Sequence, residues 1–291
     1  MDRALHRSSF LRAAIAAGAA ASFPLAARAQ AQSNPFAAIE RRYGGRLGVS
    51  VIDLQTGAAS GHRENERFAM CSTFKFFLVA DILAHVDAGT MRLSQWVPYS
   101  TKDLLEYAPV TRAHVASGGM SLEALCSAAI EYSDNGAANL LLGLAGGPAG
   151  ATRFVRKQGD DTTRLDRTEP QLNSSLPNDP RDTTTPLAMR TLMNALLLGN
   201  ALQPRSVQLL ESWMIACKTG LSRLRAGVPK TWKVGDKTGT GERGAAGDLA
   251  IMWPPGRKPL LVAAYYSGPN TAPANRDAVF AGVGTAVGRS I

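Results

Sequence analysis

Ser72 and Lys75 stand three residues apart in CSTFKFFLVADIL (71–83), where the spacing of apolar residues predicts a helix over 72–86. Positions i and i+3 share a helix face. Phe74, Phe76, Phe77 and Leu78 surround the lysine with apolar material, and a desolvated ammonium holds its proton less tightly. A helix N-terminus also favours negative charge developing at the serine. The pair has the makings of a nucleophile with a proton acceptor beside it. Alone it is weak evidence, because one Ser-x-x-Lys is expected by chance in a chain of this length, and this is the only one.

Three other groups could do chemistry. Ser133-Asp134-Asn135 lies between predicted helices 121–131 and 135–145, where the three residue types are favoured as an N-cap. Lys-Thr-Gly occurs at 218–220 and again at 237–239. The first follows predicted helix 204–216 and reads as its cap. In the second, Lys237 and the hydroxyls of Thr238 and Thr240 can line a strand edge, either to hold a carboxylate or to guard the edge. Residues 163–185, rich in Pro, Asn, Asp and Thr, read as a long ordered loop, and loops of that length are usually functional. There Glu169 and Asn173 could position and deprotonate a water, and Arg167 and Asp182 could pair to join the loop ends.

The elements that must position these groups follow from the pattern. Asn34-Pro35 opens a capped helix, and RLGVSVIDLQTG forms a hairpin with AASGHRE. Helices follow, the last over 186–198 and 204–216; after residue 230 come three β-rich runs and a closing helix over 273–289. Strands at both chain ends predict one antiparallel sheet, with the middle of the chain forming a helical lobe and a cleft between.

The chain has 291 residues, 45% hydrophobic and 19% charged, as in a soluble globular protein. Arg3, Arg7 and Arg12, then AAIAAGAAASFPLAA and Ala27-Arg28-Ala29, predict a signal peptide over 1–29 cleaved near Ala29, hence a periplasmic or secreted protein with no membrane attachment afterwards. The segment carries Asp2 against four arginines, so the formal +9 falls by 3 to +6 on its removal. No basic block suggests nucleic acid. Cys71, Cys126 and Cys217 show no metal-binding spacing, and no disulfide framework is expected.

Taken in order, Ser72-x-x-Lys75, Ser133-Asp134-Asn135, Glu169-Pro170-x-Leu172-Asn173 and Lys237-Thr238-Gly239 resemble the class A serine β-lactamases, of the penicillin-recognising serine hydrolases. The likeness runs from about residue 34 to the end and includes Tyr107, Asn139 and Trp253-Pro254-Pro255. It implies an α+β fold, an antiparallel five-stranded sheet flanked by helices, with an α/β lobe from about 34–68 and 221–291 and an all-α lobe at about 69–220. It also implies a monomer without cofactor or metal, acting on small-molecule β-lactams.

The resemblance assigns roles too. Ser72 forms an acyl-enzyme within an oxyanion hole made by the backbone N–H groups of Ser72 and Thr240. Lys75, or Glu169 through a water, takes the serine proton. Ser133 relays a proton to the lactam nitrogen, Asn135 binds the side-chain amide, and Tyr107 walls the cleft. Lys237, Thr238, Gly239 and Thr240 receive the carboxylate. Ala246 stands where many relatives carry an arginine, so Arg223 is expected to supply that cation. Relatives that hydrolyse carbapenems pair the cysteine before the nucleophile with one at the position of Gly241, which denies Cys71 that bridge; Val79 stands at the other known partner position, opposite Cys126. A DD-peptidase or penicillin sensor would share three of the motifs and lack the Glu169 element.

Overall fold

The computed structural model describes residues 34–268 and 271–291; the predicted signal peptide lies outside the described residues. The chain begins with helix α1 (Pro35–Tyr43), strands β1 (Arg46–Asp53), β2 (Ala59–His62) and β3 (Phe68–Ala69), and a 3₁₀ turn at Cys71–Phe74 that leads into α2 (Lys75–Asp87). Next come β4 (Trp96–Pro98), α3 (Pro109–His114), β5 (Gly119–Ser121), α4 (Leu122–Glu131), α5 (Asn135–Leu144) and α6 (Gly147–Lys157). After the long loop come β6 (Thr183–Thr184), α7 (Pro186–Leu197), α8 (Pro204–Ile215) and α9 (Leu224–Gly227). The chain closes with β7 (Lys233–Thr240), β8 (Ala245–Trp253), β9 (Leu260–Ser267) and α10 (Pro273–Gly288).

Local chemistry explains many of these boundaries. Pro35, Pro109, Pro186, Pro204 and Pro273 each open a helix, where the missing N–H has no intrahelical partner to lose. The side chains of Asn34, Ser121, Asp134 and Thr185 cap the backbone N–H groups of the helices that follow. Three helices depart from the expected set. α3 and α9 span only 6 and 4 residues, too few to show a period. In GPAGATRFVRK, α6 buries only Ala151, Phe154 and Val155 among larger-than-glycine residues, so its apolar stripe is faint.

The sheet is antiparallel in the order β2-β1-β9-β8-β7, as the two-ended strand pattern implies. Both faces are covered, which is why β8 and β9 read as nearly unbroken apolar runs. Leu249, Ile251, Leu261 and Tyr265 join the core of the helical region, whereas Ala250, Met252, Val262 and Ala264 pack with Phe36, Val279 and Phe280 of α1 and α10. α7 lies on the helical side of the expected lobe boundary yet packs against β1 and β9. It thereby ties the two parts together.

β7 is an edge strand, and at Gly239 it presses against the turn that carries Ser72. A Cβ there would stand 2.6 Å from the Met70 carbonyl oxygen, so only glycine permits the approach. α5 is anchored just as firmly. The buried Asp134 carboxylate accepts from the N–H groups of Val110 and Thr111 at 2.8 and 2.9 Å, and from Thr111 Oγ1 and Ala137 N at 2.9 Å each. Asp134→Ala strands these donors and is expected to cost about 3 kcal/mol or more of unfolding free energy. Urea titration reads this as a lowered midpoint; a loss below about 0.5 kcal/mol contradicts the anchoring role.

Candidate active site

The predicted helix 72–86 begins later than expected. Ser72 sits in the 3₁₀ turn, Lys75 is the first residue of α2, and both side chains are buried. Lys75 Nζ lies 2.9 Å from Ser72 Oγ, 2.7 Å from the Ser133 carbonyl oxygen, 2.6 Å from Asn135 Oδ1 and 3.0 Å from Glu169 Oε1. Three N–H donors thus meet four acceptors, which compensates an ammonium removed from water. Burial still lowers the lysine's proton affinity, against the opposing effect of Glu169.

Ser133-Asp134-Asn135 divides its work. Asp134 is the helix cap, as the residue types suggest, while its two neighbours face the cleft. Ser133 adopts the left-handed region at φ 58°. Its carbonyl oxygen accepts from Lys75, and its Oγ accepts from Lys237 Nζ at 2.9 Å. One serine therefore bridges two buried cations.

Lys237 is fully buried, so the alternative of a lysine guarding an exposed strand edge does not hold. Its Nζ also donates to the Thr238 carbonyl oxygen at 2.8 Å. Burial, reinforced by the charge of Lys75, pushes its pKa down to about 7. Gly241 N–H donates to Ala245 O across to β8, so by antiparallel alternation Thr240 N–H points away from β8, to the open edge.

The long loop brings its carboxylate to the same place. Ser72 Oγ donates to Glu169 Oε1 at 3.1 Å, and Asn173 Nδ2 donates to Glu169 Oε2 at 2.5 Å. Asn139, one turn into α5, holds the backbone of Glu169 from both sides at 2.9 and 3.0 Å. Asp182 accepts from Arg167 Nε at 2.5 Å and from the N–H groups of Asp166 and Arg167. Its own carbonyl oxygen accepts from Met70 N–H, immediately before the nucleophile turn. The loop ends are therefore closed against the element they serve.

A cavity of about 340 Å³ opens over these groups, lined by Ser72, Ser133, Asn135, Asn173, Thr238, Gly239 and Thr240, with Tyr107 as an exposed wall. Arg223 also lines it, but most of its donors are occupied. Nε pairs with Asp277 at 2.9 Å, Nη1 bonds the Gly239 and Gly247 carbonyls, and Nη2 donates to Thr240 Oγ1 at 2.8 Å. Thr240 Oγ1 accepts from Arg223, which leaves its own hydrogen free to donate into the cleft it lines. The positive charge reaches the cleft largely through that hydroxyl.

Thr219 lines the cavity too, its hydroxyl 2.5 Å from that of Thr238. α8 is closed by Ala216 and the Lys218 N–H donates to Glu131 O, so the first Lys-Thr-Gly is not that helix's cap but part of the cleft, and only the tertiary approach of this segment to β7 reveals it. Asp277, on α10, carries no sequence signal either. The buried Cys71 stands beside Gly241, where a Cβ would lie 2.6 Å from its Sγ. Cys71, Cys126 and Cys217 are free and buried, and burial pushes the Cys71 thiol up to about 12.

Comparison with known proteins places this arrangement among relatives. Residues 32–291 match the model of the β-lactamase enzyme family. β-Lactamase CTX-M-8 of Citrobacter amalonaticus is 45% identical over 260 residues, covering 89% of each chain. β-Lactamase L2 of Stenotrophomonas maltophilia is 44% identical over 282 residues, covering 97% of this chain and 92% of its own. Among solved structures, an ancestral class A β-lactamase superposes with a TM-score of 0.87 at 52% identity, covering 89% of this chain and 99% of its own.

The depressed pKa of Lys237 makes a stability prediction. Between about 7 and the ordinary value of 10.5 the unfolded chain holds a proton that the folded protein lacks, so this group's contribution to stability rises with pH across that window. Below it, both states are protonated and the folded state bears the whole cost of the buried charge. Replacing Lys237 with Gln should therefore stabilise the protein most at pH 6, with the gain shrinking by pH 10. Paired denaturation curves check this; a difference that does not vary with pH contradicts it.

Proposed function

The chain belongs to the class A β-lactamases and is a β-lactamase, and from that premise we propose that it hydrolyses the lactam amide through an ester on Ser72. Ser72 Oγ attacks the lactam carbonyl carbon as its proton passes to Glu169, or to Lys75 once the ammonium has given a proton to Glu169, both within hydrogen-bond reach of that oxygen. The carbonyl oxygen gains negative charge between the N–H groups of Ser72 and Thr240; the outward direction of Thr240 N–H at the strand edge supports that role. The C–N bond then breaks, and Ser133 passes a proton to the nitrogen, its hydroxyl oriented by Lys237.

The substrate carboxylate is assigned to Thr238, Thr240 and Lys237, with Arg223 acting largely through the hydroxyl of Thr240. Asn135 Oδ1 is committed to Lys75, so its amide nitrogen is what it can offer a side-chain carbonyl. Two lobes meeting at this cleft suit a single chain acting on a small molecule. Residues 1–29 suit export before the enzyme acts, in keeping with a role in β-lactam resistance.

The observation that carries the reading is the Glu169 carboxylate, one oxygen on Ser72 and Lys75 and the other on Asn173. A peptidase or sensor can form the ester with the other three motifs. A base held over the ester is what releases it, by taking a proton from water as that water attacks the acyl carbon.

Two experiments follow. Glu169→Ala should accumulate a covalent adduct of one substrate mass with a chromogenic cephalosporin, whereas the parent turns over and returns to its free mass. A stable stoichiometric adduct on the parent overturns the hydrolytic reading. Arg223→Ala should raise KM for penicillins by about tenfold, the value of one charge-assisted contact, with a smaller change in kcat; an unchanged KM removes Arg223 from the carboxylate site.

A further inference from the structure

A second cavity, of about 660 Å³, lies on the other side of the long loop from the catalytic cleft. Drug-sized ligands occupy sites of roughly 300–1,000 Å³. Its base is apolar, built from the buried side chains of Phe68, Leu172, Ala245 and Tyr266. Its rim is basic: Arg46, Arg67, Arg167, Arg181 and Arg243 line it against only Glu66 and Asp179.

Hydrogen bonding separates these arginines into two groups. Arg46 pairs with Glu66 and lies over the Phe68 ring, Arg181 is paired with both oxygens of Asp179, and Arg167 is held by Asp182 and Ser174. Arg67 differs. Its Nη1 donates to Thr162 O and Thr183 Oγ1, and among the described residues no carboxylate comes within salt-bridge distance of it. Arg243 bonds through Nη1 alone, to Ser174 O and Glu242. Two guanidinium groups on this cavity thus keep planar donor edges unspent.

The geometry points to a binding site for a small organic carboxylate with an apolar body, its anionic group on Arg67 and Arg243 and its body against the exposed Leu176 and Pro177 of the long loop. A carboxylate matches the guanidinium fork, and the lining charge favours an anion. Leu172 and Ser175 belong to the loop that carries Glu169 and Asn173, and Ser175 Oγ donates to Asn173 O, so an occupant touches the reverse side of the catalytic loop. The site is independent of the hydrolytic reading.

The test is a titration of the protein, labelled at its arginine side chains, with 1-naphthoate, followed by NMR beside the neutral 1-naphthalenemethanol. The naphthoate should give saturable shifts at Arg67 and Arg243, and the alcohol should bind at least about tenfold more weakly. Arg67→Gln and Arg243→Gln should each weaken naphthoate binding by about three- to tenfold while keeping the parental circular-dichroism spectrum, which shows that the fold survives. Shifts that do not saturate, that centre on Arg223 in the catalytic cleft, or that the alcohol reproduces at equal affinity overturn the site. Parental binding by both glutamine variants does so too.

Discussion

The Lys75 ammonium is the charge around which the centre of this molecule is organised. An unpaired ammonium at full burial would cost several kcal/mol, so its acceptors must be supplied wherever the chain can supply them. They come from the nucleophile turn, from the link between α4 and α5, and from the long loop. These segments lie far apart in sequence. Each has its own anchor: Gly239 lets the edge strand seat the turn, Asp134 pins the start of α5, and Asn139 holds the loop backbone.

Lys237 adds a second buried cation beside the first, which is unfavourable in isolation. Ser133 bridges the two, carbonyl to one and hydroxyl to the other, and Glu169 pairs directly with Lys75. The cleft is left electropositive at its β7 end. Arg223, bonded to the same strand and neutralised by Asp277, adds donors more than net charge. On the proposed reading an incoming carboxylate completes the balance there, filling an electrostatic gap left by folding.

The order of strands and helices was legible because both faces of the sheet are buried and most helices are long enough to show a period. Short α3 and α9 were not legible, and α6 hid behind its glycines. The site was legible in its motifs but not in its divisions of labour. Residue types assign Ser133-Asp134-Asn135 to a cap as a block, whereas the fold gives the cap to Asp134 and turns its neighbours to the cleft. Thr219 and Asp277 were invisible since each acts only across a tertiary contact, with Thr238 and with Arg223. Arg223 was legible as a cation, but not as one whose donors are mostly spent on carbonyls and an aspartate.

The long loop sends Leu165 and Leu172 into the core but is otherwise held largely by polar bonds. Its middle is fastened by polar bonds: Asn139 to the Glu169 backbone, Arg243 to Ser174 O, and Glu242 N–H to Asn173 O. Its ends close through Arg167 and Asp182. Helices packed in the core lose several contacts when one shifts, whereas a segment fastened bond by bond can be repositioned one anchor at a time. On the proposed mechanism, ester formation draws on the packed core and ester release on this loop. The rate of release can therefore vary while the nucleophile, its lysine and the oxyanion donors stay where they are, which separates an enzyme that turns over from a protein that merely captures its ligand.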